Sequence, residues 1–147
     1  MGGPSAERAI SLITGKAIFE NLNRKKYDVS WVEMTKENKF ELKTKTGQRF
    51  LDLQNKDRKL FDCIFIALHG SPGEDGKVQG MLEMLGIPYT GPNTLSSALA
   101  MNKIFAAQIY FANGLPHPEF IHLKKEGWKD YKNHVLKDVR LKIGYPA

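Results

Sequence analysis

The sequence contains a single cysteine, Cys63, in the middle of an apolar run. One thiol excludes a disulfide scaffold, and its place in the run reads as buried core in a reducing compartment. No apolar run approaches the roughly 20 residues that a membrane-spanning helix needs. The opening residues lack the pattern of a signal peptide. They are not a myristoylation signal either, because position 6 is Ala rather than Ser or Thr. His117, His122 and His134 have no partners at metal-ligand spacing, which argues against a zinc site. Internal repeats and low-complexity segments are missing. The net charge of +6 comes from lysines scattered among acids rather than from one basic stripe. That pattern reads as a solvated basic surface and argues against nucleic acid as a partner. These absences leave a cytoplasmic chain with neither a membrane nor a nucleic acid to bind.

What remains has globular composition, with 41% hydrophobic and 26% charged residues in a chain of 147. A helix is expected from about Ala6 to Asn23, with Ala6, Ile10, Ile13 and Ala17 on its inner face and Ser5 as its N-cap. Tyr27 to Met34 alternates as a strand does. Phe40–Thr44 and Gln48–Leu53 read as a hairpin that bends at Gly47. Phe61 to Leu68 lacks alternation and reads as a strand buried on both faces. Val78, Met81, Leu82 and Leu85 mark a helix that Gly86 ends, with Glu74 and Asp75 suited to its first turn. Thr94–Met101 and Asn102–Asn113 read as two more helices, the second turning Ile104, Ala107 and Phe111 inward. Phe120–Leu123 is expected to be a short strand. Trp128, Tyr131, Val135 and Val139 mark a last helix, and Ile143–Ala147 reads as the start of another strand. The pattern implies one domain to about residue 92 and a second, from residue 93 to 147, that is only begun.

Between the strand Phe61–Leu68 and the helix that follows lies the stretch of chemical interest, His69 to Gly80, with glycines at 70, 73, 76 and 80. Ligands of open α/β sheets bind where such loops gather, at the carboxyl ends of strands. The spacing fails a P-loop, because five residues separate Gly70 from Gly76 and Val78 follows Lys77. It also fails the dinucleotide fingerprint. Free backbone N–H groups at a helix start still suit an anion. His69 either bonds a ligand carboxylate, shuttles a proton, or bonds local backbone. On spacing alone Glu7 is a helix-end charge and Lys103 a solvated lysine.

Together the short motifs resemble those of a known family. Gly2-Gly3-Pro4-Ser5-Ala6-Glu7-Arg8-Ala9-Ile10-Ser11-Leu12 with Thr14-Gly15 is similar to the first signature of D-alanine–D-alanine ligases. His69-Gly70, Gly73-Glu74-Asp75-Gly76, Gln79-Gly80 and Gly86-Ile87-Pro88-Tyr89-Thr90-Gly91 resemble the second. Ala98-Leu99-Ala100-Met101-Asn102-Lys103 resembles the start of that family's central domain, and the Gly114-Leu115-Pro116 turn and Gly144-Tyr145-Pro146 also fit.

The resemblance covers essentially the whole chain, in order. It implies an α/β fold with an open, mainly parallel sheet and flanking helices: a Rossmann-like pre-ATP-grasp domain without its first strand, plus the beginning of the ATP-grasp central domain. It implies an N-terminal fragment of a cytoplasmic, homodimeric enzyme that uses ATP and Mg2+ to join two D-alanines through an acyl phosphate, for peptidoglycan synthesis. By the same resemblance Glu7 holds the ammonium of the first D-alanine and His69 lies near the carboxylate end of the site. Ser5 and the Gly70–Gly76 loop shape the pocket, and Lys103 contacts ATP phosphate. Asn102 departs from the usual aspartate before that lysine. The Mg2+ ligands belong to a part beyond Pro146, so this chain alone is expected to be marginally stable and inactive. Ligases that take D-lactate or D-serine as second substrate, and a non-catalytic α/β ligand-binding module, are the alternatives.

Overall fold

Helix α1 (Arg8–Asn21) starts later than its apolar pattern predicts. Ser5 explains the delay. Its carbonyl accepts the Arg8 N–H (3.1 Å) and its hydroxyl accepts the Glu7 N–H (3.0 Å), so Ser5 closes the turn ahead of the helix and Glu7 takes the N-cap position. The expected inner face is also wrong. Ile10 and Ile13 are 53% and 65% exposed, whereas Ser11 and Gly15 are buried. The helix turns a small, polar stripe inward because it lies against backbone rather than side chains. The Ser11 hydroxyl donates to the Ala67 carbonyl (2.6 Å) and accepts from the Gly2 N–H (2.8 Å).

These elements come from a computed structural model that describes residues 1–145. Three strands, β1 (Trp31–Met34), β2 (Phe40–Thr44) and β3 (Gly47–Phe50), form an antiparallel sheet in that order. This α/β fold differs from the expected one, in which the sheet is mainly parallel. Parallel pairing among the described residues is confined to two isolated bridges, Gly2 with Met34 and Ile64 with Tyr89. The first bridge depends on Gly2, at φ +90°, since a Cβ there would lie 2.7 Å from the Met34 carbonyl oxygen. Arg8 braces the same corner. It pairs with Glu33 and donates to the carbonyls of Gly3 (3.1 Å) and Met34 (2.7 Å). Burial pushes the Glu33 carboxyl up, but Lys43 and Arg8 outweigh it and hold the group below its ordinary range.

Phe61–Leu68 is not a laddered strand. One edge is served by the loop after the next helix: the Ile64 N–H donates to Pro88 (2.8 Å) and the Thr90 N–H donates back to Ile64 (3.0 Å). Ile64 and Ile66 turn toward the core, while Cys63 and Phe65 turn outward and are exposed. Cys63 is therefore a surface thiol, not core. Helix α2 (Lys77–Leu85) ends at Gly86 as expected, although Glu74 and Asp75 precede its first turn instead of entering it. The core gathers under it: Met34, Leu53, Leu68, Val78, Leu82 and Ile87, with Leu82 only 1% exposed. Helix α3 (Thr94–Met101) is tied to α2 by Glu83, which accepts from the Thr94 N–H (3.1 Å), the Thr94 hydroxyl (2.8 Å) and the Tyr89 hydroxyl (2.6 Å).

The chain falls into two compact units, Met1–Met101 and a second that begins at Asn102. In the second, the Asn102 side chain caps helix α4 (Lys103–Ala112) by accepting from the N–H groups of Ile104 (3.1 Å) and Phe105 (3.3 Å). Asn and Asp cap equally well, so the departure at this position leaves the helix start intact. Ala106 is the buried residue of α4, and Phe111 is 77% exposed rather than inward. Phe120–Leu123 is not a strand. Helix α5 (Lys125–Asp138) bends at Tyr131 and passes into a π-helical stretch, Val139–Ile143. Ile143 thus belongs to that stretch and not to a strand, and Pro146 and Ala147 lie outside the described residues. No helix among the described residues is long and apolar enough to cross a membrane.

Candidate functional site

The turn before α1 and the loop after Leu68 meet. Gly70 marks the contact: it sits at φ +68°, and a Cβ added there would strike the Ser5 hydroxyl and lie 3.8 Å from Glu7 Oε1. Glu7, His69 and Glu74 each turn one polar atom to a common point, all within 4.8 Å of one another. Four sequence-predicted residues, Ser5, Glu7, His69 and Gly70, are therefore brought together at one cleft. Lys103 belongs to the other unit. It is the exposed first residue of α4, in the second compact unit, and pairs with no acid among the described residues.

The loop's hydrogen bonds alter its expected electrostatics. The Gly70 N–H is taken by Glu74 Oε2 (2.8 Å), and the N–H groups of Gly73 and Glu74 both donate to the Gly70 carbonyl (2.8 and 3.0 Å). Three of the loop's backbone donors, those of Gly70, Gly73 and Glu74, are thus satisfied within the loop itself. What faces the cleft is the pair of carboxylates Glu7 and Glu74 beside one imidazole, and that is a site for a positive group. The neighbouring Asp75 accepts from Lys77 Nζ (2.6 Å) and Ser71 (2.7 Å). Burial pushes its carboxyl up, yet these bonds hold it below its usual range.

Sequence reasoning missed the roles of two side chains, Thr14 and Gln79, and placed Glu74 only within the loop that shapes the pocket. Thr14 Oγ1 lies 3.0 Å from His69 Nε2, and Glu74 Oε1 lies 3.5 Å from His69 Nδ1, so the ring is held from both sides. Gln79, 4% exposed, donates from Nε2 to the Gly73 carbonyl (2.7 Å) and fixes the loop from beneath. Its Oε1 has no partner. The available signal was the spacing Glu7, Ser11, Thr14, a polar stripe at i, i+4 and i+7 along one helix face. A cavity of about 310 Å³ opens beside the imidazole, between Thr14 and Ile18 on α1 and Pro92 and Ser97 across from them.

Fold and cleft together define an α/β domain in which the start of the first helix and the loop after Leu68 bring two carboxylates and an imidazole to one cleft. Residues 1–60 and 41–92 match the family described as D-ala D-ala ligase N-terminus. The chain belongs to that family. A D-alanine–D-alanine ligase of Clostridium beijerinckii is 42% identical over 147 residues, which is 100% of this chain and 42% of the relative. Among solved structures, the Bacillus anthracis D-alanine–D-alanine ligase complexed with ATP is 41% identical, with a TM-score of 0.64 over 85% of this chain and 38% of that one. The D-Ala:D-Ser ligase VanG of Enterococcus faecalis is 27% identical, with a TM-score of 0.75 over 95% of this chain and 47% of that one. The chain spans less than half the length of the curated relatives it matches.

Proposed function

We propose that this chain supplies the first-substrate side of an enzyme that joins two D-alanines at the expense of ATP, making the dipeptide used in peptidoglycan and cell-wall synthesis. The observation that carries this reading is the convergence of Glu7, Glu74 and His69 at one cleft. An amino acid bound there would set its ammonium against Glu7, with the loop carboxylate of Glu74 adding attraction. His69 would stand toward its carboxylate end. Ser5 and Gly70 would fix how closely the ligand approaches the turn before α1. The missing Cβ at position 70 leaves room for the Ser5 hydroxyl, so turn and loop close on each other there.

ATP would supply the phosphoryl group that turns the first carboxylate into an acyl phosphate open to attack by the second amine. Lys103 suits a phosphate contact as an exposed cation at the start of α4. Magnesium is a hard cation that takes oxygen ligands in octahedral array. The Glu7–His69–Glu74 cluster contains an imidazole and does not fit it, so no step is routed through a metal here. Residues 1–92 would form the substrate domain and 93–147 open the ATP-binding one. The two parallel bridges, at Gly2 and at Ile64, would belong to a mainly parallel, Rossmann-like sheet in the whole enzyme. The lone thiol fits a cytoplasmic enzyme, and a homodimer is the assembly this reading carries. VanG, with its TM-score of 0.75, keeps D-serine open as the second substrate.

The test is product analysis with the full-length ligase that carries this segment. D-Alanine and ATP should give D-alanyl-D-alanine and ADP, one for one. Release of ADP without a dipeptide, or a mixed product formed only when D-serine or D-lactate is added, would replace this reading.

A further inference from the structure

We infer that Thr14 is a positioning residue that holds the orientation of the His69 ring, an inference that rests on the reading of the cleft given above for its consequence in catalysis. The argument begins with α1. Glu7, Ser11 and Thr14 lie at i, i+4 and i+7, one above the other on the face turned to residues 67–70. Ser11 is fully buried and bonded to both Gly2 and Ala67, so it locks the rotation and height of the helix against the end of the extended segment. One turn further, that lock delivers the Thr14 hydroxyl to His69 Nε2 at 3.0 Å.

The other ring nitrogen is also engaged. Glu74 Oε1 stands 3.5 Å from Nδ1, and Glu74 is itself steadied by the Gly70 N–H on its second oxygen (2.8 Å). An ionised carboxylate only accepts, so it favours the proton on Nδ1. The hydroxyl of Thr14 both donates and accepts. It donates to Nε2 of the neutral ring, and it turns to accept from Nε2–H when the ring is charged. Glu74 thus favours the neutral tautomer with the proton on Nδ1, and Thr14 holds the imidazole plane in either charge state. Threonine does this from a helix that also carries Glu7, so the two groups that face the ligand keep one register.

The direct test is the nitrogen spectrum of the His69 ring in the chain labelled with 15N-histidine. The wild-type chain at neutral pH should show widely separated Nδ1 and Nε2 resonances, the mark of a single tautomer. Thr14→Val should move the Nε2 resonance downfield and widen that separation, as expected of a bare ring nitrogen that has lost its hydrogen-bond donor, and Thr14→Ser should leave it in place. Thr14→Ala adds no methyl group and replaces the valine variant should valine disturb the fold. Wild-type separation retained in both the valine and alanine variants would overturn the inference. In the full-length ligase, Thr14→Val should raise the KM for D-alanine about tenfold, the worth of one hydrogen bond, with the KM for ATP unchanged and serine restoring it. An equal rise in both constants would mark a merely structural threonine. A wild-type enzyme with no D-alanine-dependent turnover would defeat the proposed function, while the ring spectrum would still decide the role of Thr14.

Discussion

Gly70 concentrates the site's steric demands in one residue. Its φ of +68° is costly for any side chain, and its missing Cβ is the space taken by the Ser5 hydroxyl. Gly70→Ala should therefore destabilise the chain by about 1–2 kcal/mol from backbone strain alone and should raise the KM for D-alanine in the full-length ligase. Urea unfolding and steady-state kinetics read the two effects separately. An alanine variant with wild-type values for both would show that the turn and loop are not in contact. At this scale the sequence was legible where a residue carries a family signature, as Ser5, Glu7, His69 and Gly70 do. It assigned no role to Thr14 and Gln79, although both stand inside those signatures. A polar residue on a helix is normally solvated, and the partner that makes Thr14 a site residue stands 55 positions away. Cys63 was misread because an unbroken apolar run implies cover on both faces, and here only the alternate residues Ile64 and Ile66 turn toward the core.

Helix α1 is the element on which the account makes its sharpest demand. Its inner face is Ser11 and Gly15, not the isoleucines. Ser11→Ala would strand a buried carbonyl and a buried N–H, at a cost of about 2–4 kcal/mol. Ile13→Ser, on the exposed side, should stay within about 0.5 kcal/mol of wild type. Denaturant midpoints for the two variants, measured side by side, check this, and the reverse ranking would restore the apolar-face reading. Helix positions and the hairpin were legible because turn chemistry and capping are local. The inward face of α1 was not, since a helix packed on backbone buries small polar groups and breaks the apolar period.

The hairpin makes a pH prediction. Arg49 donates to Asp57 through both nitrogens (2.9 and 2.8 Å) and the Asp52 N–H adds a third bond (2.7 Å). The Arg49 bonds, then the backbone bond, hold the Asp57 carboxyl at about 2, down from 3.8. A carboxyl depressed on folding contributes its stability above the unfolded value. That contribution fades as pH falls from 3.8 toward about 2. Acid unfolding of Asp57→Asn should lose part of that slope. The rest should persist, because Glu33, Asp75 and Glu83 are also held low. An unchanged slope would mean that the pair does not form.

Among the described residues a modest core sits beneath α2 in the first unit, and Leu82 is its most enclosed side chain. Leu82→Ala should cost about 2–5 kcal/mol, a large share of the roughly 5–15 kcal/mol typical of a domain. The fold class was legible at this scale and the sheet was not. Strand direction depends on which segments find neighbours, and the described residues pair three of them antiparallel. The cleft nonetheless assembles from turn, helix and loop, because Ser11, Gly2 and Glu74 fix those pieces to each other without a ladder. The cleft gathers two carboxylates, and on the proposed function the ammonium of a D-alanine is the group they would receive. The most direct test varies D-alanine at saturating ATP in the full-length ligase, wild type against Glu7→Gln. The account predicts dipeptide formation by both, with the KM for the first D-alanine raised about ten- to hundredfold in the variant, the loss of a charge-assisted bond, and with the KM for ATP unchanged. An unchanged dependence on D-alanine in Glu7→Gln would contradict it.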